Sequence, residues 1–91
     1  MYASINCKGF VDIYFVINVK NKEYITAFGE NLKRLRKNAE LSQEDLANDA
    51  DIPLSRVGRI ERGEVDTTIS TVYVLADALN LQVSDLFKFK K

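Results

Sequence analysis

The sequence predicts a mostly α-helical domain of five short helices, preceded by a β-strand or hairpin. Three observations support this prediction. Apolar residues recur every three or four positions from about residue 27 onward, which is typical of amphipathic helices. Short polar turns separate these stretches, as in a compact helical bundle. Before residue 25, β-branched and aromatic residues dominate the segment CKGFVDIYFVINVK.

The N-terminal extension, residues 1–24, is predicted to differ from the helical domain of residues 25–91. From Phe10 to Lys20 every odd position is apolar, and this alternation favours a half-buried strand over a helix. Residues 2–5 are a candidate partner strand, joined by a turn at residues 6–9. Because an unpaired strand exposes its backbone groups, the extension is a candidate dimerisation arm through an intermolecular sheet. A disordered leader is the alternative.

Caps and apolar faces predict the first two helices. Helix one runs from about Ala27 to Asn38 after a cap at Thr26. Helix two begins at Ser42-Gln43-Glu44-Asp45, which has the form of a capping box. It ends before Asp51, which tolerates the left-handed conformation of a tight turn. The predicted inward residues are Phe28, Leu32, Leu35 and Ala39 in helix one, and Leu46, Ala47 and Ala50 in helix two.

Helices three to five are shorter. Helix three starts at Pro53, whose fixed φ suits a first turn, and stops at Gly63. Only about three residues join it to helix two, and so short a turn forces the steep crossing of a helix-turn-helix. Helix five is a turn or two from Val83 to Phe87. Helix four covers about Ile69 to Leu79, with an inward face of Val72, Leu75, Ala76 and Leu79.

The outward face of helix three suits DNA. Val57 and Ile60 lie three positions apart and must face the core. At about 100° per residue, the opposite face holds a hydroxyl, a glycine and two arginines: Ser55, Gly58, Arg59 and Arg62. A slim helix with arginine donors fits a major groove about 12 Å wide. Residues 52–63 hold three basic groups and one acidic group, whereas residues 41–51 hold four acidic groups and no basic one.

Residues 28–87 resemble the Cro/repressor-type (XRE-like) helix-turn-helix family. The resemblance is carried by the motifs L-R-x-x-x-x-L-S-Q-E-D-L-A, R-I-E-R-G and L-A-D-A-L-N. It implies a repressor-like helix-turn-helix bundle and a sequence-specific DNA-binding regulator. It also implies a homodimer on a near-palindromic operator, with helix three in the major groove. The sequence departs from the family where Glu40 and Asp51 replace a frequent glycine, and where Pro53 replaces a Ser or Thr cap.

The resemblance also implies which residues read bases. Ser55 and Arg59 are the candidate base readers, and Leu54 and Arg56 are candidate helpers. Arginine is the commonest side chain for a bidentate contact to guanine, and leucine can contact a thymine methyl. The structural alternatives are a solvated surface arginine for Arg59 and a partly buried side chain for Leu54.

Other residues are candidates for the DNA backbone. They are Ser42 and Gln43 at the start of helix two, Arg62 in the last turn of helix three, and Thr67 and Thr68 before helix four. Ser42 and the two threonines have a structural alternative as caps, and Arg62 as a partner of the helix dipole. The acidic segment Glu64-Val65-Asp66 should weaken backbone affinity by repelling phosphates. Arg36 and Glu61 are expected to form a structural bridge, as the family implies.

Composition excludes several functions. The chain has no His and one Cys, Cys7, so no nucleophile–base–orienter set, disulfide framework or thiolate zinc site can form. We therefore expect no enzyme activity, no cofactor and no metal. Thirteen basic and thirteen acidic residues cancel, which excludes long-range steering by net charge. Without an apolar run of about 18 residues or a targeting peptide, we expect no membrane span and a cytoplasmic location.

Two functions remain. The leading hypothesis is a transcription regulator, most simply a repressor, whose partner is double-stranded DNA. The alternative is an antitoxin or accessory protein whose helix-turn-helix domain also binds a partner protein. Co-purification of a second protein would favour the alternative.

Overall fold

A computed structural model describes the backbone of residues 7–89 and the side chains of residues 21–89. Within this part of the chain there are four α-helices, one 3₁₀ helix and no strand. The elements are α1 (Cys7–Asn38), α2 (Gln43–Ala50), α3 (Leu54–Glu61), α4 (Ile69–Ala78) and the 3₁₀ helix (Val83–Phe87). The last four correspond to predicted helices two to five, the fifth being a 3₁₀ helix.

The predicted strand at Phe10–Lys20 is wrong, because α1 runs without a break from Cys7 to Asn38. Thr26 therefore lies inside a helix and does not cap one. No Pro or Gly interrupts residues 10–28, and each β-branched residue disfavours a helix by at most about 0.7 kcal/mol. Extending an existing helix adds a hydrogen bond per residue, whereas a strand needs a partner. The candidate partner strand at residues 2–5 lies outside the described residues.

The turn between α1 and α2 and the start of α2 follow the local sequence. Asp45 N donates to Ser42 Oγ at 2.9 Å, and Ser42 N donates to Asp45 Oδ2 at 3.0 Å, which confirms the capping box. Hydrogen bonding from Ser42, chiefly from its backbone N–H, lowers the pKa of the Asp45 carboxyl, because it favours the charged form. Asp51 ends α2 with φ 60° and ψ 45°, the left-handed conformation expected of it. Glu40, also at a family glycine position, has φ 62°.

Helix α3 begins at Leu54, one residue later than predicted, and Pro53 is its N-cap. Pro53 offers no side-chain cap, but its carbonyl oxygen accepts from Arg56 N at 3.0 Å. At the other end Gly63 adopts φ 72°, and Glu64 N donates to Arg59 O at 2.9 Å. This left-handed glycine stops the helix as predicted.

The core lies where the helices meet. Helix α1 packs against α3 and the 3₁₀ helix, and α2 packs against α3 and α4. The predicted inward residues of α2 and α4 are all buried, as are Phe28 and Leu32 of α1, whereas Leu35 is half-buried and Ala39 is exposed. The fully buried large side chains are Leu32, Leu46, Val57, Ile60, Leu75 and Leu86.

A buried amide joins α1 to the 3₁₀ helix. Asn31 is 4% exposed, and its Nδ2 donates to Leu86 O at 2.8 Å. An unpaired buried amide is costly, so this bond specifies how the 3₁₀ helix docks on α1. Sequence reasoning missed Asn31, although a poor helix former one turn after the inward Phe28 was a usable signal.

Candidate nucleic-acid interface

The exposed face of α3 brings together the residues predicted to read bases. Ser55, Arg56 and Arg59 are exposed and line one surface depression, which Asp66 also borders. Val57 and Ile60 are buried on the opposite face of the helix. Leu54 is 48% exposed, so it is available at the first turn rather than part of the core.

The prediction that Gly58 faces outward is wrong, because Gln43 and Arg62 cover it. Gly58 is buried, and a Cβ placed on it would lie 3.0 Å from Arg62 Nη1 and 3.7 Å from Gln43 Oε1. The distance to Gln43 is an ordinary contact and the tighter one is to the flexible end of Arg62, so a methyl group could be accommodated here. Two predicted backbone contacts, Gln43 and Arg62, therefore lie over the same residue.

A buried ion pair joins α1 to the last turn of α3. Arg36 Nε donates to Glu61 Oε2 at 2.6 Å, and Arg36 Nη2 donates to Glu61 Oε1 at 3.1 Å. The two side chains are 8% and 2% exposed. Arg36 Nη1 also donates to Leu41 O at 2.8 Å, so one guanidinium ties the α1–α2 turn to α3. This multiply bonded geometry satisfies two charges that burial would otherwise penalise.

Gln43 belongs to the same network, which sequence reasoning missed. Its Nε2 donates to Glu61 Oε1 at 2.9 Å, so a residue predicted to touch DNA is bonded to a buried carboxylate. Gln43 is also the first residue of α2, where backbone N–H groups have no intrahelical partner. The buried Arg36 therefore orients Gln43 through Glu61.

A second, exposed ion pair follows directly after α3. Arg62 Nε donates to Glu64 Oε2 at 2.7 Å and Arg62 Nη2 to Glu64 Oε1 at 3.3 Å, with the side chains 58% and 52% exposed. Hydrogen bonds from Arg62 lower the pKa of the Glu64 carboxyl, and the charges of Arg62, Arg59 and Lys22 lower it further. Sequence reasoning expected Glu64 to repel phosphates but did not pair it with Arg62.

The remaining candidates have structural partners. Ser42 caps α2, and Thr68 caps α4 by accepting from Thr71 N at 3.2 Å. Thr67 is half-buried, and its backbone N donates to Asp66 Oδ1 at 2.9 Å. Capping leaves Ser42 and Thr68 exposed at helix N-termini, so both roles are compatible.

Gly29 of α1 determines how closely α3 approaches. A Cβ on Gly29 would overlap the carbonyl oxygen of Ile60 and lie 2.9 Å from that of Glu61. Only glycine allows these backbones to meet, and this contact seats the end of α3 where Arg36 reaches Glu61. A lone glycine inside a predicted helix was the available signal.

Among the described residues, no cluster of three or more His, Cys, Asp or Glu has the arrangement of a metal site. None of the helices in this part of the chain combines the length and apolarity needed to cross a membrane.

Comparison with known proteins agrees with this architecture. The helix-turn-helix family HTH_3 matches residues 32–86, which is well over half of the chain. The control protein C.SmaI of Serratia marcescens is 40% identical over 57 residues, covering 63% of this chain and 68% of that protein. The immunity repressor protein of Bacillus phage phi105 is 38% identical over 56 residues, covering 62% of this chain and 39% of that protein.

A solved structure shows the same fold. The restriction-modification controller protein C.AhdI from Aeromonas hydrophila superimposes with a TM-score of 0.69 at 36% identity, covering 69% of this chain and 96% of that one. The chain belongs to the helix-turn-helix family HTH_3. It is a helix-turn-helix regulator of the DNA-binding type, related to controller proteins and to a phage repressor.

Proposed function

We propose that this protein is a sequence-specific repressor that binds a near-palindromic operator as a homodimer, with α3 in the major groove. One observation carries the proposal: Ser55, Arg56 and Arg59 share one exposed face of a helix whose last turn is held by a buried ion pair. A rigidly seated helix presents its donors to base edges without first ordering them. The relatedness to a phage repressor and to controller proteins supports regulation.

Residue roles follow from exposure and chemistry. Arg59 and Ser55 contact bases, and Leu54 and Arg56 extend that contact at the edges of α3. Ser42, Gln43, Thr67 and Thr68 contact the DNA backbone from the N-terminal turns of α2 and α4. Arg62 is a phosphate donor that must first leave Glu64. The Arg36–Glu61 bridge keeps α3 and Gln43 in place without touching DNA.

Dimerisation is supported by an apolar surface on α4. Ile69 and Tyr73 lie one turn apart on this helix and are 89% and 61% exposed. Two large apolar side chains on one exposed helix face are a natural surface for a second copy. Two recognition helices about 34 Å apart would then match successive major grooves. Sedimentation should show a dimer for the wild type and a monomer for Tyr73→Lys, with Val83→Lys as the exposed apolar control.

Selection of bound fragments from random DNA tests the function. We expect enrichment of one near-palindromic sequence at moderate salt. Arg59→Ala should then weaken operator binding by about 1–3 kcal/mol and relax the preference at one base pair. Lys88→Ala is the control, since it removes one positive charge beyond the 3₁₀ helix, which packs on α1 and α4.

If no sequence is enriched, the proposal that the protein recognises an operator is wrong, and the alternative that it binds a partner protein is favoured. If Arg59→Ala leaves both affinity and base preference unchanged, α3 is not the reading helix. Co-purification of a second protein bound to the α4 surface would show that this surface binds a partner protein rather than a second copy of the chain.

A further inference from the structure

We infer that Glu64 is a built-in competitor of the DNA backbone, which occupies the guanidinium of Arg62 until a phosphate displaces it. The inference rests on the proposed DNA-binding function and deepens it, because it assigns a residue that lowers affinity. Glu64 is thus an affinity-setting residue, distinct from the residues that contact DNA.

The geometry of the pair is that of phosphate recognition. Both carboxylate oxygens of Glu64 accept from Arg62, with Nε to Oε2 at 2.7 Å and Nη2 to Oε1 at 3.3 Å. A guanidinium offers the same two-donor fork to a carboxylate or to two phosphate oxygens. Since one edge of the fork serves one partner at a time, the carboxylate and a phosphate compete for it.

The turn at Gly63 creates this pair. Gly63 has φ 72°, a conformation that disfavours a side chain, and a Cβ on it would lie 2.7 Å from Thr26 Oγ1, so its surroundings exclude one. The left-handed turn brings Glu64 back beside Arg62, only two positions earlier in the chain. The constrained turn fixes the backbone positions from which the two side chains can meet.

Exposure makes the pair exchangeable. The side chains are 58% and 52% exposed, so a phosphate can approach Arg62 without unfolding. Exposed ion pairs contribute little to stability, and the fold does not depend on this one. Hydrogen bonds from Arg62, together with the charges of Arg59 and Lys22, lower the pKa of the Glu64 carboxyl, which stays charged at neutral pH and offsets the arginine charges near the C-terminal end of α3.

The consequence is measurable as salt dependence. Each phosphate neutralised by a cation adds about 0.9 to the slope of log K against log salt. In the wild type, competition from Glu64 leaves the Arg62–phosphate contact formed in only part of the complexes, whereas without the charge of Glu64 it forms in all of them. Glu64→Gln should therefore bind DNA more tightly and steepen the slope by up to about one. Between 50 and 200 mM salt, its affinity should fall by an additional factor of up to about 3.5.

The test is a cycle of four full-length proteins: wild type, Glu64→Gln, Arg62→Ala and the double variant. Each is titrated against a fluorescent mixed-sequence duplex from 50 to 200 mM salt, so no operator is needed. The overall charge change caused by Glu64→Gln is identical in both backgrounds. We expect the steeper slope only where Arg62 is present, with equal thermal midpoints for Glu64→Gln and wild type.

Equal gains from Glu64→Gln with and without Arg62 would overturn the inference, because general repulsion would explain them. A loss of affinity would overturn it too, since Glu64 would then be holding Arg62 ready for DNA. Either result leaves DNA binding itself intact. If none of the four proteins binds the duplex or enriches a sequence, the proposed function fails and the inference falls with it.

Discussion

Two arginine–glutamate pairs lie at the end of α3, and they differ chiefly in burial. Arg36 and Glu61 are joined through Nε at 2.6 Å with side chains 8% and 2% exposed. Arg62 and Glu64 are joined through Nε at 2.7 Å with side chains 58% and 52% exposed. Both pairs join a guanidinium to a carboxylate, and their Nε–Oε2 distances are nearly equal.

The difference assigns a different task to each pair. A buried charge cannot lose its partner without a large penalty, so Arg36 and Glu61 act as a permanent clamp on α3. An exposed charge is solvated with or without its partner, so Arg62 can exchange Glu64 for a phosphate. Burial, rather than hydrogen-bond geometry, therefore separates the structural pair from the exchangeable one.

The largest expected effect is loss of the buried clamp. Arg36→Ala leaves Glu61 charged and buried, and should lower the free energy of unfolding by about 3–5 kcal/mol. Arg62→Ala is the matched control in the same urea melts, and its midpoint should equal that of the wild type. Similar losses in both variants would show that burial does not separate the pairs.

A double-mutant cycle sharpens this result. Glu61→Ala should also destabilise the protein, and the double variant with Arg36→Ala should lose less than the sum by about 0.5–3 kcal/mol. The difference between the summed losses of the single variants and the loss of the double variant is the coupling energy of the two groups, and the same melts give it. Additive losses would mean that each side chain acts through other contacts, such as those to Leu41 and Gln43.

A smaller effect is expected from two glycines, Gly29 of α1 and Gly58 of α3. Gly29→Ala should destabilise the fold by about 1–3 kcal/mol, because the new methyl meets the rigid carbonyls of Ile60 and Glu61. Gly58→Ala is its control, since its nearest neighbour is the flexible end of Arg62 at 3.0 Å. It should be neutral or stabilise α3 by up to about 1 kcal/mol in thermal melts. A larger destabilisation by Gly58→Ala than by Gly29→Ala would contradict the close approach of α3 to Gly29.

The smallest effect is a titration of the exposed pair. The pKa of Glu64 is lowered from its usual 4.5 by Arg62, so its carboxyl carbon should titrate below that value by NMR. In Arg62→Ala the midpoint should rise toward 4.5, whereas Lys88→Ala should leave it unchanged. Because the folded pKa is lowered, the exposed pair contributes a stabilisation above pH 4.5 that is too small to move the melting midpoint, and this is lost as pH falls through the folded pKa. An identical midpoint in Arg62→Ala would show that the pair does not form in solution.

The N-terminal half of α1 shows where pattern reasoning failed. Alternating apolar residues from Phe10 to Lys20 satisfy the pattern of a strand, yet the backbone there is helical. Periodicity describes which face a side chain would occupy in a given element, and it does not choose the element. The missing stop signal between residues 20 and 27 was the better guide, because a helix continues until something ends it.

The sequence by itself determined the features that depend on neighbouring residues. The capping box of Ser42 and Asp45, the left-handed Asp51 and the stop at Gly63 follow from hydrogen bonds and φ preferences within about four residues. The buried faces of α2 and α4 follow from helical period in the same way. The resemblance to a known family, rather than spacing, placed Arg36 opposite Glu61.

Only the tertiary structure decided what distant residues do to one another. The docking of Asn31 on Leu86, the contact of Gly29 with α3 and the bond from Gln43 to Glu61 join positions 18 to 55 residues apart. Even Glu64, two residues from Arg62, reaches it only because Gly63 turns the chain back. Such contacts depend on the path of the whole backbone, and local preferences contain no information about that path.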